Sequence, residues 1–321
     1  METNYSIQYA TSDHIEYITK FNSELAFETE NKYLEPDTAR KAVEKLLADP
    51  DSGFSVIALE KDKETPVAFL DAYLAFDYSR NEQQCLILST LVSKEHRRRG
   101  LFNKLYAAAI KKLRAKKGRY MRLFVEKDNK NAMEAYKKIG FKESNEELFE
   151  FDLREDPESA FELQAGYSRL LDEEDFTLER AEQEEIKKLE FADFTSILHK
   201  DGDYVKAKAG ALRSFEPKSS AEIFLLKQKG EVIGIIGGYI TVCDWTNRLV
   251  SYINDIRLKN SVIGDSRELT GLILKLYIDK IASEGRHLTI YVGDAEEWVK
   301  LLLRTARAIT NHYLVYEQDL S

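Results

Sequence analysis

Cys85-Leu86-Ile87-Leu88-Ser89-Thr90-Leu91-Val92, followed by the basic loop Ser93-Lys94-Glu95-His96-Arg97-Arg98-Arg99-Gly100, decides how this chain folds. The apolar run is too short to span a membrane and has β-branched residues near its end, so it reads as a buried strand. Beyond the loop, apolar residues recur at Leu101, Phe102, Leu105, Tyr106, Ala109, Ile110 and Leu113. That three- and four-residue spacing predicts a helix with one buried face. A strand, a tight loop and a helix can cradle a phosphate, because the first helical turn carries unpaired N–H groups and the positive end of the dipole. Gly100 lets a ligand approach the backbone, and Arg97, Arg98 and Arg99 place guanidinium groups that grip phosphate oxygens bidentately. Taken alone, the same loop also fits a solvated basic turn.

The segment beyond the helix separates those two possibilities. Tyr120-Met121-Arg122-Leu123-Phe124-Val125 alternates like a strand, and Asn129 to Phe141 comes after it. Arg97-Arg98-Arg99-Gly100-Leu101-Phe102, then Asn129…Ala132…Tyr136 with Gly140-Phe141, together resemble motifs A and B of the GCN5-related N-acetyltransferase (GNAT) superfamily. Either motif alone is weak; both in order, joined by helix and strand, are specific. Phe102 departs from the small residue usual at its position.

Length and composition set the outer bounds. The 321 residues suffice for two domains, and 43% apolar content supports proper cores. A formal charge of −9 argues against general nucleic-acid affinity. The two cysteines, Cys85 and Cys243, sit far apart within apolar runs and read as buried thiols of a reducing compartment. No leader-like segment or membrane-length apolar span is visible, so the expectation is a soluble cytoplasmic protein. No metal-binding pattern is found, and oligomeric state, monomer or homodimer, is open.

In the first half, Ser6–Ala10 reads as a strand and Thr11-Ser12-Asp13 as the start of a helix continuing through Phe27. A second helix begins near Pro36, Phe54–Leu59 and Val67–Phe76 pair as strands, and Leu148–Leu153 closes the set. Arg154–Ser159 reads as a linker. In the acidic run beyond it, Ile186, Leu189, Phe191, Phe194 and Ile197 recur at helical spacing, which predicts a packed helix. The second half repeats the first faintly. Gly285-Arg286-His287-Leu288-Thr289-Ile290-Tyr291-Val292 parallels Gly118–Val125, which sets Leu258 on Leu91 and Leu272 on Leu105. The expectation is an α/β (α+β) chain of two tandem GNAT-like domains, each a mixed, mostly antiparallel sheet flanked by helices. The first is residues 1–153, followed by a linker of 154–164 and a second domain of 165–321. In that register Gly264-Asp265-Ser266-Arg267 stands opposite the arginine loop, Trp298 opposite Asn131 and Leu303 opposite Tyr136. A carboxylate where phosphate should sit marks the second domain as a degenerate copy.

The resemblance implies acetyl-CoA as acyl donor, with no metal, and an amine of a small molecule or peptide as acceptor. Leu91 and Val92 would offer backbone groups to the pantetheine arm, and Arg97, Arg98, Arg99, Gly100, Leu101 and Phe102 would hold the pyrophosphate. Lys104 would stand near the remaining phosphate, and Asn131 near the pantetheine or phosphates. Tyr136 is the candidate acid, since a neutral phenol can protonate the departing thiolate. The general base is less legible. Glu126, after the Val125 strand, and Asp71, on the preceding strand pair, are candidates, beside a base acting through water. Acidic residues near the expected acceptor end (Glu24, Glu28, Asp71, Asp77) suit a cationic amine such as a polyamine, an aminoglycoside or an N-terminus. Two other classes fit the same residues: a non-catalytic acyl-CoA sensor, and an anion- or nucleic-acid-binding module on the basic stretch from Lys94 to Arg122.

Overall fold

The computed structural model describes residues 4–151, 176–198, 203–293, 295, 297–305, 309–310 and 313–320. The expected linker, 154–164, lies outside the described residues. The first half runs β1 (Tyr5–Tyr9), α1 (Ile15–Glu30), α2 (Pro36–Ala48), β2 (Gly53–Glu60), β3 (Thr65–Asp77), β4 (Glu82–Val92) and α3 (Leu101–Ala115). It continues with β5 (Tyr120–Glu126), α4 (Lys130–Lys138), β6 (Lys142–Glu143) and β7 (Glu147–Phe151). The second half comprises β8 (Phe176–Arg180), α5 (Gln183–Lys188), β9 (Phe194–Ser196), α6 (Tyr204–Arg213), β10 (Ala221–Gln228), β11 (Glu231–Val242) and β12 (Leu249–Lys259). After these come α7 (Ser266–Ser283), β13 (His287–Val292), α8 (Glu297–Thr305), β14 (Ile309–Thr310) and β15 (Tyr313–Asp319).

Local chemistry sets the helix starts. Pro36 opens α2, where its missing N–H costs nothing, and the Glu35 carboxylate accepts from the N–H groups of Asp37 and Thr38 at 3.1 and 2.7 Å. The spacing read from Leu101 onward gives α3, which buries Leu101, Leu105, Tyr106, Ala109 and Leu113. No helix among the described residues is long and apolar enough to cross a membrane. Cys85 is buried, Cys243 half-buried, and both are free thiols.

Two mostly antiparallel sheets result, with strand orders β1-β2-β3-β4-β5-β15-β6 and β14-β7-β13-β12-β11-β10-β8. Each contains a single parallel pair among these strands, β4 with β5 and β12 with β13, at the same place in its half. The last strands are exchanged. Sequence order suggests that the Leu148 strand closes the first sheet, but β7 pairs with β13, while β15 from the far end of the chain pairs with β5. Both strands carry comparable β-forming residues, so local propensity does not choose between the edges.

The exchange is fixed by what is buried beside it. Arg122 on β5 is only 1% exposed and pairs with Glu146, 2.8 Å away just before β7, and with Glu317 on β15. Its guanidinium lies over the Tyr291 ring at 4.3 Å. Phe124, Tyr252 and Tyr291 stack beside it, and Tyr239 joins Tyr252 at 5.3 Å, so the sheets share one aromatic core.

The helix expected over Ile186–Ile197 is not continuous. The chain leaves α5 in an extended conformation at Leu189, makes a turn over Phe191–Asp193, and pairs Phe194–Ser196 with Arg257–Lys259. Ile186, Phe191 and Phe194 still bury together against Phe76 and Tyr78. Burial produced the helical spacing, and the open edge of β12 captured the segment as a strand. Replacing Arg122 by Ala leaves two carboxylates facing a buried gap. The expected cost is about 3–5 kcal/mol, read as a lower urea midpoint of unfolding.

Candidate active site

Strands β4 and β5 pair only from Gln84–Tyr120 to Ile87–Leu123. Beyond that point they part, and a cleft of about 1810 Å³ opens between Leu88–Val92 and Phe124–Glu126. A bulge marks the parting: Asp71 opposes Ser89 and Ala72 opposes Ile87, which leaves Leu88 as the extra residue. One extra residue shifts the alternation, and Ile87 and Val92 consequently both pack on the core beneath α3.

At one end of the cleft lies the basic loop. Arg98 and Gly100 both have left-handed backbone conformations, φ 60° and 73°, which turn the chain sharply into α3. A Cβ on Gly100 would meet nothing within 4 Å, so the glycine serves the turn and leaves open space above the helix N-terminus. The arginines divide the work. Arg97 donates to the Val92 carbonyl and to Glu28, each at 2.8 Å, and Lys94 joins Glu28 at 3.0 Å. Burial alone would raise the Glu28 carboxyl, but these two cations hold it below its usual range. Arg99 donates to the Tyr5 hydroxyl at 2.8 Å and the Glu95 carbonyl at 2.9 Å. Arg98 is exposed, lines the cleft, and makes no side-chain hydrogen bond or ion pair among the described residues.

Leu91, Val92, Arg97, Arg98, Phe102, Glu126, Asn131 and Tyr136 all line this cleft; Arg99, Gly100, Leu101 and Lys104 do not contribute to its wall. Asn129 caps α4 by accepting from the Ala132 N–H at 3.1 Å, and Asn131 is exposed in the first turn. Tyr136 is buried against Phe102, Phe141 and Tyr316, and burial pushes its phenol up to about 12. Phe102, the departure from the motif, meets the Tyr136 ring edgewise at 5.4 Å and so helps fix that ring.

Several wall residues escape sequence reading because they arrive from distant strands. Glu150 on β7 and Tyr313 on β15 stand beside Glu126 and Glu30, and the Tyr313 hydroxyl donates to Glu30. Burial, then Glu30, Glu126 and Glu150, raise the Tyr313 phenol. The turn between β11 and β12 brings Asp244 and Trp245, and the Trp245 indole donates to the Ser89 hydroxyl at 3.0 Å. The first-half turn after β3 does the reciprocal thing: Tyr78 donates to Asp255 on β12 at 3.2 Å. The positive signal for these contacts was the repeat itself, which places the two turns in equivalent positions.

Residues 17–141 match the model of the acetyltransferase (GNAT) family. A possible acetyltransferase from Clostridium difficile 630 is 35% identical over 43% of this chain and 90% of its own, with a TM-score of 0.38. Two structures align along the whole chain and share its fold. A GCN5-related N-acetyltransferase from Sphaerobacter thermophilus is 12% identical, covers 100% of this chain and 97% of its own, and has a TM-score of 0.56. A putative acetyltransferase from Pyrococcus horikoshii is 16% identical, covers 100% and 91%, and has a TM-score of 0.51. Comparison with curated proteins gave no match. The chain belongs to the GNAT acetyltransferase family, and it is an acyltransferase. Replacing Trp245 by Phe removes the donor to Ser89, with an expected loss of about 1 kcal/mol in urea unfolding at unchanged secondary structure.

Proposed function

We propose that this protein transfers the acetyl group of acetyl-CoA to a primary amine of a small molecule or peptide, at one site in its first half. The observation that carries this reading is the continuity of the cleft. It runs from Arg97, Arg98 and Phe102, along Leu91 and Val92, past Tyr136, to Glu30, Glu126 and Glu150. The end beside the helix N-terminus suits phosphates. The edge of β4 freed by the parting suits an extended pantetheine arm that hydrogen-bonds like an added strand. The far end suits a cation, since three carboxylates meet there around Tyr313.

In this reading the bound amine attacks the thioester carbonyl and forms a tetrahedral intermediate, whose collapse expels the CoA thiolate. Tyr136 protonates that thiolate. Its raised phenol stays protonated across the working pH range, so its ionisation imposes no loss of activity until pH approaches about 12. The division into residues 1–153 and 165–321 enters as two functional units of unequal chemistry. Where α3 has no acidic residue in its first turn, α7 has Asp265 at its N-cap and Glu268 in its first turn. Leu303, opposite Tyr136, is buried and carries no proton. Tyr78 packs against β11 of the second half so closely that a Cβ on Gly237 would come within 2.8 Å of its ring. These features support acyl-CoA binding in the first half alone.

Calorimetric titration with acetyl-CoA tests the assignment. One site per chain is expected, weakened at least about tenfold by Gly100→Glu. Two sites would show that the second half is competent, and no binding would sink the transferase reading. Tyr136→Phe is expected to lower kcat roughly 100-fold with KM for acetyl-CoA unchanged, measured by thiol release. Binding without turnover on any amine would instead mark an acyl-CoA sensor.

A further inference from the structure

The proposed reaction needs a proton acceptor for the amine, and β4 carries no carboxylate after its bulge. Asp71, one sequence candidate, is completely buried on β3 and does not reach the cleft wall. It lies against Asp244 from the β11–β12 turn, which does line the cleft. Asp71 Oδ1 and Asp244 Oδ2 are both buried and unpaired at hydrogen-bond distance among the described residues, with Ser55 beside Asp71 and Ser89 beside Asp244. Two buried carboxyl groups side by side resist ionising together, so one of the pair keeps its proton. Asn22 on α1 holds the pair from the other side, donating to Asp71 Oδ2 at 3.2 Å and to the Asp244 carbonyl at 3.5 Å.

Position along β4 locates this pair relative to the chemistry. The phosphate loop follows Val92, and the proposed pantetheine edge is Leu91–Val92. Ser89, held by Trp245 and facing Asp244, lies about 7 Å further along the strand from Leu91, on the acyl side. We infer that Asp244, supplied by the second half of the chain, is the general base for the acceptor amine, and that Asp71 is a positioning residue that holds the shared proton beside it. The inference rests on the transferase reading above.

The proton accounting closes without another reactant. An ammonium group gives one proton to the Asp244 carboxylate, directly or through one water, and becomes a neutral amine. Its lone pair forms the C–N bond as the carbonyl π pair moves to oxygen. That pair returns as the C–S bond breaks, the thiolate takes the Tyr136 proton, and the nitrogen's remaining extra proton restores the phenol. Asp244 releases its proton to solvent when the product leaves.

The groups facing Asp244 fix the direction of its pH response. They are Asp71 on β3, Ser89 on β4, Asn22 on α1, and Cys243 and Tyr252 from its own half, both raised first by burial and further by the Asp244 charge. Burial raises Asp244 to about 6, against the hydrogen bonds of Ser89, its own backbone N–H and Asp71. Burial first, then the Asp244 charge, raises Asp71 well above the ordinary carboxylate range. Near neutral pH Asp71 therefore keeps the proton and Asp244 is ionised. Asp244 loses its base form as pH falls through about 6.

The test uses the full-length chain and acetyl-CoA with primary amines of four kinds: a polyamine, an aminoglycoside, an amino sugar and a peptide N-terminus. With the fastest acceptor, kcat/KM should fall on the acid side with a midpoint near 6. Asp244→Asn should lower kcat at least about 100-fold while calorimetric affinity for acetyl-CoA stays within about twofold. Asp71→Asn mimics the protonated acid and should leave the acid limb near 6, whereas Asp71→Ala removes the hydrogen bond that holds Asp244 down and should move the limb to higher pH. A structural role alone would not move that limb. If Asp244→Asn keeps more than about a tenth of kcat, or Asp71→Ala leaves the limb in place, the base assignment is wrong and the transferase reading survives. If the wild-type chain acetylates none of the four amines, the transferase reading itself fails and takes this inference with it.

Discussion

Everything in the site depends on two parallel strands that pair over a short ladder and then part. Backbone N–H and C=O groups buried without partners are costly, so strands separate only where something else satisfies their edges. On β5 the outer edge is taken by β15. On β4 the bulge at Leu88 changes the alternation, and the segment Leu88–Val92 is left facing a cleft. The loop after Val92 has to reverse into α3 within a few residues. Its left-handed backbone at Arg98 and Gly100 achieves that, while Arg97 and Arg99 tie it to Val92, Glu28, Tyr5 and Glu95. Positive charge beside an open helix start is thus a product of the same geometry that opens the cleft.

The second half is not an appendage. Each half sends its last strand and one turn into the other, and the shared ring stack of Phe124, Tyr252 and Tyr291 sits where they cross. The contacts are reciprocal in place but unequal in consequence. Tyr78, entering the second half, packs against Gly210 and Gly237, whose missing side chains make room for it. Asp244 and Trp245, entering the first half, line its cleft. The filled side is packed core, and the open side keeps a carboxylate and an aromatic ring on the cleft wall. That asymmetry places residues of both halves around the cleft of the first.

Much of the site was readable because its signals are local. The arginine loop, Gly100, the helix pattern from Leu101, and the Asn129–Tyr136–Phe141 spacing each lie within a few turns of chain, and the structure sets Arg97, Arg98, Phe102, Asn131 and Tyr136 around one cleft. Residue spacing misleads where burial and secondary structure give the same pattern. Ile186, Phe191 and Phe194 bury together at helical spacing, yet Phe194 belongs to a strand because β12 had an edge to offer. Asp71 was legible only in part. It was visible as a carboxylate near the acceptor end, but its partner Asp244 lies in the other half.

Most elements, the phosphate-suited turn, the family and the repeat were written in short-range spacing and backbone chemistry; the segment from Ile186 to Ile197 was the exception. Only the tertiary structure decided which sheet each closing strand joins and which carboxylates meet. Glu147–Phe151 and Tyr313–Asp319 have similar strand chemistry and could serve either edge. The choice is made by Arg122, buried and needing both Glu146 and Glu317, and by the packing of aromatic rings from both halves. Likewise, a carboxyl group's proton affinity depends on its burial and on the charge beside it. Both are properties of the assembled interface between the sheets.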